Sequence, residues 1–302
     1  MKILLLGGNG QVGVELRRSL APLGELVVAT RNGLLEDGSA CETANFDRPQ
    51  EAATLVDLVA PDVVVNAAAY TAVDRAETEP DAALRANALA PTAIAAACAA
   101  RDALLVHYST DYVFDGSSTR PYREDDPTSP LGVYGATKLA GEAAIRDSGA
   151  RYMIFRTSWV YAAHGRNFVL TMLRLAAERD ELRVVADQVG SPTSAAHIAD
   201  TTAAILARHG RSTGLWHLTC TGQTSWHGFA EAIMAGAVER GLLHKAPRVM
   251  PISTSDYPTP AVRPAFSVLD NARVKRDFGL HGVHWADALA RVLDTLAADV
   301  GA

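Results

Sequence analysis

The stretch Ile3-Leu4-Leu5-Leu6-Gly7-Gly8-Asn9-Gly10-Gln11-Val12-Gly13 decides the fold. Its apolar start predicts a buried β-strand, its glycines predict a tight turn, and the apolar spacing from Val12 to Leu23 predicts a helix. Gly8, Gly10 and Gly13 fit the pattern G-x-G-x-x-G, which in a strand–turn–helix context is typical of a loop that holds a dinucleotide pyrophosphate. The alternative is a glycine turn without a ligand. We predict that the cofactor contacts of this loop are Gly7, Gly10, Gln11, Val12 and Gly13.

Short apolar runs and helical patterns alternate through the rest of the first half. Runs such as Val63–Val65 and Ala103–Val106 predict strands, and Ala82–Ala99 and Val133–Ile145 predict helices. This alternation predicts an α/β fold with a doubly wound parallel sheet of the Rossmann type. The strand patterns are continuously apolar, as expected when helices cover both faces of the sheet.

The second half of the chain has a less regular pattern. Helical spacing occurs in Asn167–Arg179, Trp226–Arg240 and Ala286–Ala297, and Leu215–Leu218 predicts a strand. We therefore predict a dinucleotide-binding domain in residues 1–160. Residues 161–302 are expected to form mainly a smaller C-terminal substrate domain, with segments that return to the first domain.

Composition restricts the classes of function. The chain has 302 residues and a formal net charge of -6, which argues against general nucleic-acid binding. Its three cysteines are far apart in sequence and show no disulfide or zinc spacing. The N-terminal apolar run is too short for a signal peptide, and no uninterrupted apolar stretch reaches the ~18 residues of a membrane span. We expect a soluble cytoplasmic protein without membrane or nucleic-acid partners.

The second predicted strand ends at Ala29-Thr30-Arg31-Asn32. An acidic residue at this position would bind the ribose 2′-hydroxyl of NADH, whereas an arginine can bind the 2′-phosphate of NADPH. Arg31 therefore favours NADPH, with NADH as the second option. The alternative is a solvated surface arginine.

Tyr134 and Lys138 are four residues apart on a predicted helix, so both project from one face. A nearby ammonium would lower the pKa of a tyrosine, and such a pair suits proton exchange with a carbonyl or alcohol oxygen. Thr110 follows a predicted strand, where its hydroxyl could bind the same oxygen. The alternatives are an exposed helix face for the pair and a cap or turn role for Thr110. We interpret His107 as a packed core histidine.

These residues resemble the extended short-chain dehydrogenase/reductase superfamily. The blocks Val65–Asp74, His107–Phe114, Val133–Glu142, Phe155–Tyr161 and Tyr257–Pro264 are similar to those of the dTDP-4-dehydrorhamnose reductase family. The resemblance covers nearly the whole chain. It implies reduction of the 4-keto group of dTDP-4-dehydro-β-L-rhamnose, a sugar nucleotide, by NADPH or NADH.

The resemblance also implies residue roles. Tyr134 would be the proton donor, Lys138 would lower its pKa and bind the nicotinamide ribose, and Thr110 would bind the reacting oxygen. Contacts with the cofactor are expected at Asn45, Phe46, Ala67, Ala68, Ala69, Tyr108, Tyr134 and Lys138, and contacts with the sugar nucleotide at Thr110, Asp111, Trp159 and Arg263. The alternative for Trp159 is core packing.

The chain departs from the family pattern at two positions. Asn45 stands where the family often has an aspartate near the adenine. Some members bind magnesium through glutamates at a dimer interface, but the matching position here is Ala196 or His197. We therefore predict no metal, and a homodimer is expected only by resemblance.

Two other functions remain open from the sequence. A sugar-nucleotide dehydratase or epimerase has the same fold, although dehydratases typically follow the threonine with Asp-Glu and this chain has Asp111-Tyr112. A non-catalytic subunit resembling the regulatory subunit of methionine adenosyltransferase is the second alternative. The complete set of Thr110, Tyr134 and Lys138 argues against it.

Overall fold

The computed structural model describes residues 1–300, with side chains described through residue 298. The strands are β1 (Lys2–Leu6), β2 (Glu25–Thr30), β3 (Glu42–Thr43), β4 (Val63–Asn66), β5 (Leu104–Thr110), β6 (Arg151–Thr157), β7 (Val160–Tyr161), β8 (Glu181–Val185), β9 (Val189–Gly190), β10 (Thr193–Ser194), β11 (Gly214–His217), β12 (Thr224–Ser225) and β13 (Arg248–Ile252). The α-helices are α1 (Gln11–Leu20), α2 (Pro49–Val59), α3 (Val73–Ala76), α4 (Pro80–Leu84), α5 (Ala90–Ala100), α6 (Val133–Asp147), α7 (Phe168–Glu178), α8 (Ala195–His209), α9 (Trp226–Glu239), α10 (Ala272–Phe278) and α11 (Trp285–Val300).

A parallel sheet of seven strands forms the centre of the described chain, in the order β11-β6-β5-β4-β1-β2-β3. The order reverses at β1, so β1 and β4 border the crevice where such sheets bind ligands at their carboxyl ends. The predicted Rossmann-type α/β fold is confirmed. Strand β11 joins this sheet from the second half of the sequence by pairing with β6.

Helices cover both faces of the sheet. In β1, Leu4 and Leu6 pack in one core with α2, α5 and α6, whereas Ile3 and Leu5 pack in the opposite core with α1, α8 and α10. Successive side chains of a strand point to opposite faces. The continuously apolar sequence of β1 therefore follows from burial on both sides.

A third apolar core lies in the second half of the chain. It joins α7, α9 and α11 around Phe229 and Leu293, and it includes Leu182 of β8. The small sheets β7–β10, β9–β12 and β8–β13 surround this part of the fold. Trp159 and Trp226 stack where this part meets the end of β6.

One continuous helical segment, Pro80–Ala100, is long and apolar enough to cross a membrane by length and composition. It consists of α4, a π-helical stretch Arg85–Leu89 and α5. In its most apolar window, 56% of the residues are buried within the fold, and Ile94 and Ala95 belong to the sheet core. This burial is typical of a helix that packs in the core of a folded domain.

Several elements differ from the sequence expectations. The proline-rich segment Pro251–Pro264 is expected from its sequence to be an extended loop, but β13 reaches Ile252 and a 3₁₀ turn covers Thr254–Asp256. Helix α8 has no counterpart among the predicted elements, although it packs on α1. Its alanines and threonines form a weak apolar pattern, and its burial depends on tertiary packing.

Candidate functional site

A cavity of about 600 Å³ lies at the carboxyl ends of β1, β4, β5 and β6. Most of the residues predicted from the sequence line it: Gly7, Gly10, Gln11, Val12, Arg31, Phe46, Ala67, Ala68, Ala69, Tyr108, Thr110, Asp111, Tyr134, Lys138 and Trp159. Gly13, Asn45 and Arg263 are not among the lining residues. The structure therefore brings together residues from distant parts of the sequence.

The glycine loop connects β1 to α1 beside the end of β4. Gly7 has a φ of +87°, and a Cβ there would lie 2.7 Å from the backbone nitrogen of Ala68. A Cβ on Gly13 would lie within 2.0 Å of the Gly7 carbonyl oxygen, so Gly13 permits close packing of helix against loop rather than contact with the cavity. Gln11 is held at the cavity by a hydrogen bond that it accepts from Asn167, which caps α7.

Two of the predicted residues after β2 lie on the cavity wall. Arg31 is exposed there and Phe46 is buried. Asn45 faces its own loop, where its Oδ1 accepts a hydrogen bond from the backbone N–H of Asp47 at 3.0 Å. The expected contact of Asn45 with an adenine therefore stays a prediction, and its observed role is to shape the turn before α2.

Tyr134 projects from the first turn of α6 towards the end of β5. Burial raises the pKa of Tyr134 to about 12, the neighbouring hydroxyl group of Thr110 lowers it, and the charge of Asp111 raises it. The raised pKa is opposite to the direction expected from the Tyr-x-x-x-Lys spacing. A phenol with a raised pKa carries its proton at neutral pH, which is the state that a proton donor requires.

Thr110 has two further contacts at the end of β5. Its hydroxyl donates to Oδ1 of Asp111 at 3.0 Å and accepts from the backbone N–H of Tyr112 at 3.2 Å. It therefore caps a 3₁₀ turn, as one sequence alternative expected, and also lines the cavity. The cap fixes the rotamer that places Thr110 beside Tyr134.

Lys138 is 2% exposed and lies one helical turn after Tyr134. Its Nζ donates a hydrogen bond to the carbonyl oxygen of Tyr108 at 2.6 Å and lies 3.2 Å from Nε2 of His107. Burial lowers the pKa of Lys138 to about 8, and the carboxylate of Glu142 acts in the opposite direction. The side-chain nitrogen of Lys138 is thus anchored to β5, whereas the raised pKa of Tyr134 is set mainly by the burial of its own ring.

Three buried polar atoms at the cavity have no hydrogen-bond partner among the described residues: Oγ of Ser109, Oδ2 of Asp111 and Oγ1 of Thr157. Burial raises the pKa of Asp111 to about 6, with the neighbouring hydroxyl groups of Ser267 and Thr110 acting in the opposite direction. A buried polar atom without a partner costs about 1–3 kcal/mol. Their concentration on one cavity wall indicates a polar ligand.

Trp159 follows β6 with a φ of +48°, which is unusual for a bulky residue. Its ring stacks on that of Trp226 at a centroid distance of 3.5 Å, and a Cβ on Gly190 would lie 2.4 Å from it. Both tryptophans line the cavity. Trp159 therefore packs against Trp226, as the core-packing alternative expected, and also faces the cavity. Trp226 was not predicted as a site residue, although an indole at the start of a predicted helix was a usable signal.

Arg263 is paired with Asp74 at 2.9 Å, between the guanidinium Nη2 and the carboxylate Oδ2. Arg166, in the loop before α7, lines the cavity instead and was not predicted from the sequence. Among the lining residues, the cations are Arg31, Arg166 and Lys138, and Asp111 is the carboxylate. This excess of positive charge suits an anionic ligand despite the negative net charge of the chain.

A second cavity of about 640 Å³ lies next to the end of β11 and is lined by, among others, His197, Lys275 and His281. It contains none of the predicted site residues. The first cavity, with its glycine loop, tyrosine, threonine and buried lysine, is therefore the candidate active site.

A parallel Rossmann-type sheet, a glycine loop at its switch point and a Tyr-x-x-x-Lys pair at the same crevice define a dinucleotide-dependent dehydrogenase/reductase. A family model described as "RmlD substrate binding domain" matches residues 1–298. The chain belongs to this family.

The similar proteins agree with this assignment over nearly their whole length. A dTDP-4-dehydrorhamnose reductase of Burkholderia thailandensis is 50% identical over 96% of this chain and 97% of its own. A solved structure of such a reductase from Clostridium acetobutylicum has a TM-score of 0.89 and 36% identity, covering 98% of this chain and 99% of that chain. Another, from Bacillus anthracis in complex with NADP, has a TM-score of 0.88 and 33% identity, covering 97% and 99%.

Proposed function

We propose that this chain is an NADPH-dependent dTDP-4-dehydrorhamnose reductase, which converts the 4-keto group of dTDP-4-dehydro-β-L-rhamnose into the hydroxyl group of dTDP-L-rhamnose. The observation that carries the proposal is the convergence of Thr110, Tyr134 and Lys138 on one cavity that also contains the glycine loop. The names of the full-length relatives support the same reaction.

The cavity fits a dinucleotide phosphate. The glycine loop packs closely against Ala67 and Ala68 and opens α1, whose N-terminus suits a pyrophosphate. Arg31 supplies a cation for a 2′-phosphate, and Lys138 lies beside Tyr134 for the nicotinamide ribose. The bound cofactor would supply the hydride. Phe46, Tyr108 and the Ala67–Ala69 segment would form the walls that orient it.

Tyr134 is proposed to give its phenolic proton to the oxygen at sugar carbon 4. Its raised pKa keeps the proton available at neutral pH, and the Thr110 hydroxyl would hydrogen-bond the same oxygen. The ammonium form of Lys138 would stabilise the phenolate that remains. General acid catalysis of this kind contributes about 10²–10⁴-fold in rate.

Asp111, Trp159 and Trp226 are proposed to hold the sugar nucleotide. The unpartnered Oδ2 of Asp111 can accept a hydrogen bond from a sugar hydroxyl, and the indole pair offers a flat apolar wall. Arg166 is the better-placed cation for the substrate diphosphate, because Arg263 is paired with Asp74. Arg263 stays a proposed contact that would require this pair to open.

The function is tested by incubating the purified chain with NADPH and dTDP-4-dehydro-β-L-rhamnose. We expect loss of NADPH absorbance and formation of dTDP-L-rhamnose, one molecule per NADPH oxidised, as identified by chromatography. Omission of the keto sugar should leave NADPH intact. Cofactor binding without oxidation would refute the reductase and favour a regulatory subunit, and conversion without net NADPH use would favour an epimerase or dehydratase.

We also propose a cytoplasmic location, a homodimer, and a division between a dinucleotide-binding part in residues 1–160 and a mainly substrate-binding part in residues 161–302. The separate apolar core around Phe229 supports the division into two parts. The three free cysteines support a reducing compartment such as the cytoplasm. Light scattering tests the dimer, because a monomeric mass at micromolar concentration would refute it.

A further inference from the structure

A buried hydrogen-bond chain runs from the end of β4 to α6, with both ends at the cavity wall and His107 behind it. Oδ1 of Asn66 accepts from the backbone N–H of Ala68 at 3.1 Å, and Nδ2 of Asn66 lies 3.1 Å from Nδ1 of His107. Nε2 of His107 lies 3.2 Å from Nζ of Lys138. Asn66 and His107 are each 1% exposed, so water does not compete for these contacts.

The direction of this chain is fixed at its first member. A backbone N–H can only donate, so the amide oxygen of Asn66 must face Ala68 and its NH₂ group must face His107. Nδ1 of His107 therefore accepts. A neutral imidazole has one N–H, and it must then be on Nε2, which faces Lys138.

We propose that Asn66 and His107 are positioning residues that direct a fixed N–H donor at Nζ of Lys138 and thereby stabilise the amine form of this lysine. An ammonium there would place one of its own hydrogens against the Nε2–H of His107. The amine instead offers a lone pair to His107 while it donates to the Tyr108 carbonyl oxygen. The effect on turnover rests on the proposed function, but the histidine tautomer does not.

The charges around Lys138 agree with this arrangement. Burial, the larger cause, holds the pKa of His107 well below its ordinary range, so the ring is neutral even when Lys138 is the amine; the ammonium form of Lys138 would lower this pKa further. Burial also lowers the pKa of Lys138, although Glu142 raises it. Glu142 is itself paired with Arg156, while Asp111 lies nearer to Tyr134 on the cavity side.

The consequence for catalysis has a definite sign. The ammonium of Lys138 favours the phenolate that Tyr134 becomes after proton donation, so turnover should fall as pH rises through the pKa of Lys138. By stabilising the amine, the Asn66–His107 pair moves this fall to lower pH. Reversing the donor and acceptor roles along these hydrogen bonds should move the loss of turnover to higher pH.

The tautomer is tested directly in the wild-type protein by two-bond ¹H–¹⁵N correlation spectra of ¹⁵N-histidine-labelled chain. We expect the hydrogen of His107 on Nε2. His217 provides an internal reference of opposite sense, because its Nδ1 faces the carbonyl oxygen of Tyr122 at 3.1 Å and must carry the hydrogen. His107→Gln and His217→Gln assign the two signals. A hydrogen on Nδ1 of His107 would overturn the proposal.

Asn66→Asp tests the effect on the lysine with a nearly isosteric change. An aspartate accepts from both Ala68 and His107, which would move the hydrogen to Nδ1 and turn Nε2 into an acceptor for the Lys138 ammonium. We expect the basic limb of the kcat–pH profile to rise by about one pH unit, to which the new carboxylate charge contributes together with the reversed hydrogen bond, so the shift counts for the proposal only together with a hydrogen of His107 found on Nδ1 in this variant. His217→Gln, which removes a buried histidine outside the cavity, should leave this limb unchanged.

The two proposals fail in distinguishable ways. Absence of turnover in the wild type would refute the reductase function. The tautomer of His107 would still show whether His107 donates to Lys138 or accepts from it. An inverted tautomer in Asn66→Asp without a shift of the basic limb would show that the pair does not set the ionisation of Lys138. If this variant does not fold, the wild-type spectrum alone remains decisive.

Discussion

Tyr134 is the proposed proton donor, and its raised pKa keeps the phenol protonated at neutral pH. Tyr134→Phe removes only the hydroxyl, so we expect kcat to fall by about 10²–10⁴-fold. Binding of NADPH should change by less than about threefold, because the ring stays in place against Tyr112. Steady-state kinetics and cofactor titration measure the two effects.

Tyr122→Phe is the matched control for loss of a tyrosine hydroxyl. Its hydroxyl donates to Asp115 and lies outside the candidate active site, in a cluster with Phe114. This variant should turn over at nearly the wild-type rate. Turnover of Tyr134→Phe at a similar rate would contradict the role assigned to the phenol.

Arg31 is the lining cation nearest to the turn after β2. If it binds the 2′-phosphate, Arg31→Ala should weaken NADPH binding about 10–100-fold, the value of one or two charge-assisted hydrogen bonds. NADH lacks this phosphate, so its dissociation constant should change by less than about threefold. Fluorescence titration with both cofactors measures the difference. An equal loss for the two would contradict the assignment.

At the residue scale, the sequence predicted which residues line the cavity better than it predicted the contacts that these residues make. The spacing of Tyr134 and Lys138 correctly placed both at one cavity, because an α-helix fixes the relation of residues four apart. It could not show that Lys138 donates to β5, since the carbonyl oxygen of Tyr108 arrives from a distant segment. For the same reason it could not show that Asp74 pairs with Arg263.

At the scale of elements, α6 and β6 are joined by a buried ion pair. Nε and Nη2 of Arg156 donate to the two carboxylate oxygens of Glu142 at 2.9 and 2.7 Å, and the guanidinium lies over the ring of Phe114. Glu142 is two helical turns beyond Tyr134. The pair therefore fixes the helix that carries Tyr134 and Lys138 against the sheet.

Removing one partner of this pair should be far more harmful than removing both. Glu142→Leu leaves a buried guanidinium without a counter-charge, so we expect the free energy of unfolding to fall by about 3–5 kcal/mol. The double variant that combines Glu142→Leu with Arg156→Met should recover most of this loss, because no buried charge remains. Urea denaturation of the wild type and the two variants measures both changes.

The exposed pair of Arg174 and Glu178 on α7 is the control for this prediction. Solvent screens such pairs, so Glu178→Gln should change the free energy of unfolding by less than about 0.5 kcal/mol. If the double variant at the buried pair is as unstable as the single one, packing rather than charge pairing holds α6 in place.

At the scale of the whole molecule, local patterns predicted the central sheet because its strands are apolar on both faces and follow the helices regularly. The small sheets were not predicted. Their strands β7, β9, β10 and β12 have two residues each, too few to show a period, and their partners lie far apart in sequence. Helix α8 was missed because its stability comes from packing on α1 and β5 rather than from its own pattern.

The pH dependence of stability also belongs to the whole molecule, because His217, the last residue of β11, is fully buried against the ring of Phe114. Burial lowers its pKa to about 3 from 6.5. The fold therefore favours the neutral ring, and this stabilisation is complete above pH 6.5 and is lost as pH falls towards 3. At ~1.4 kcal/mol per pH unit, wild type should lose about 2–3 kcal/mol between about pH 6.5 and 4.5 through His217. Urea denaturation should show this slope reduced in His217→Gln but unchanged in His281→Gln, which alters an exposed histidine; equal slopes in all three would contradict the argument.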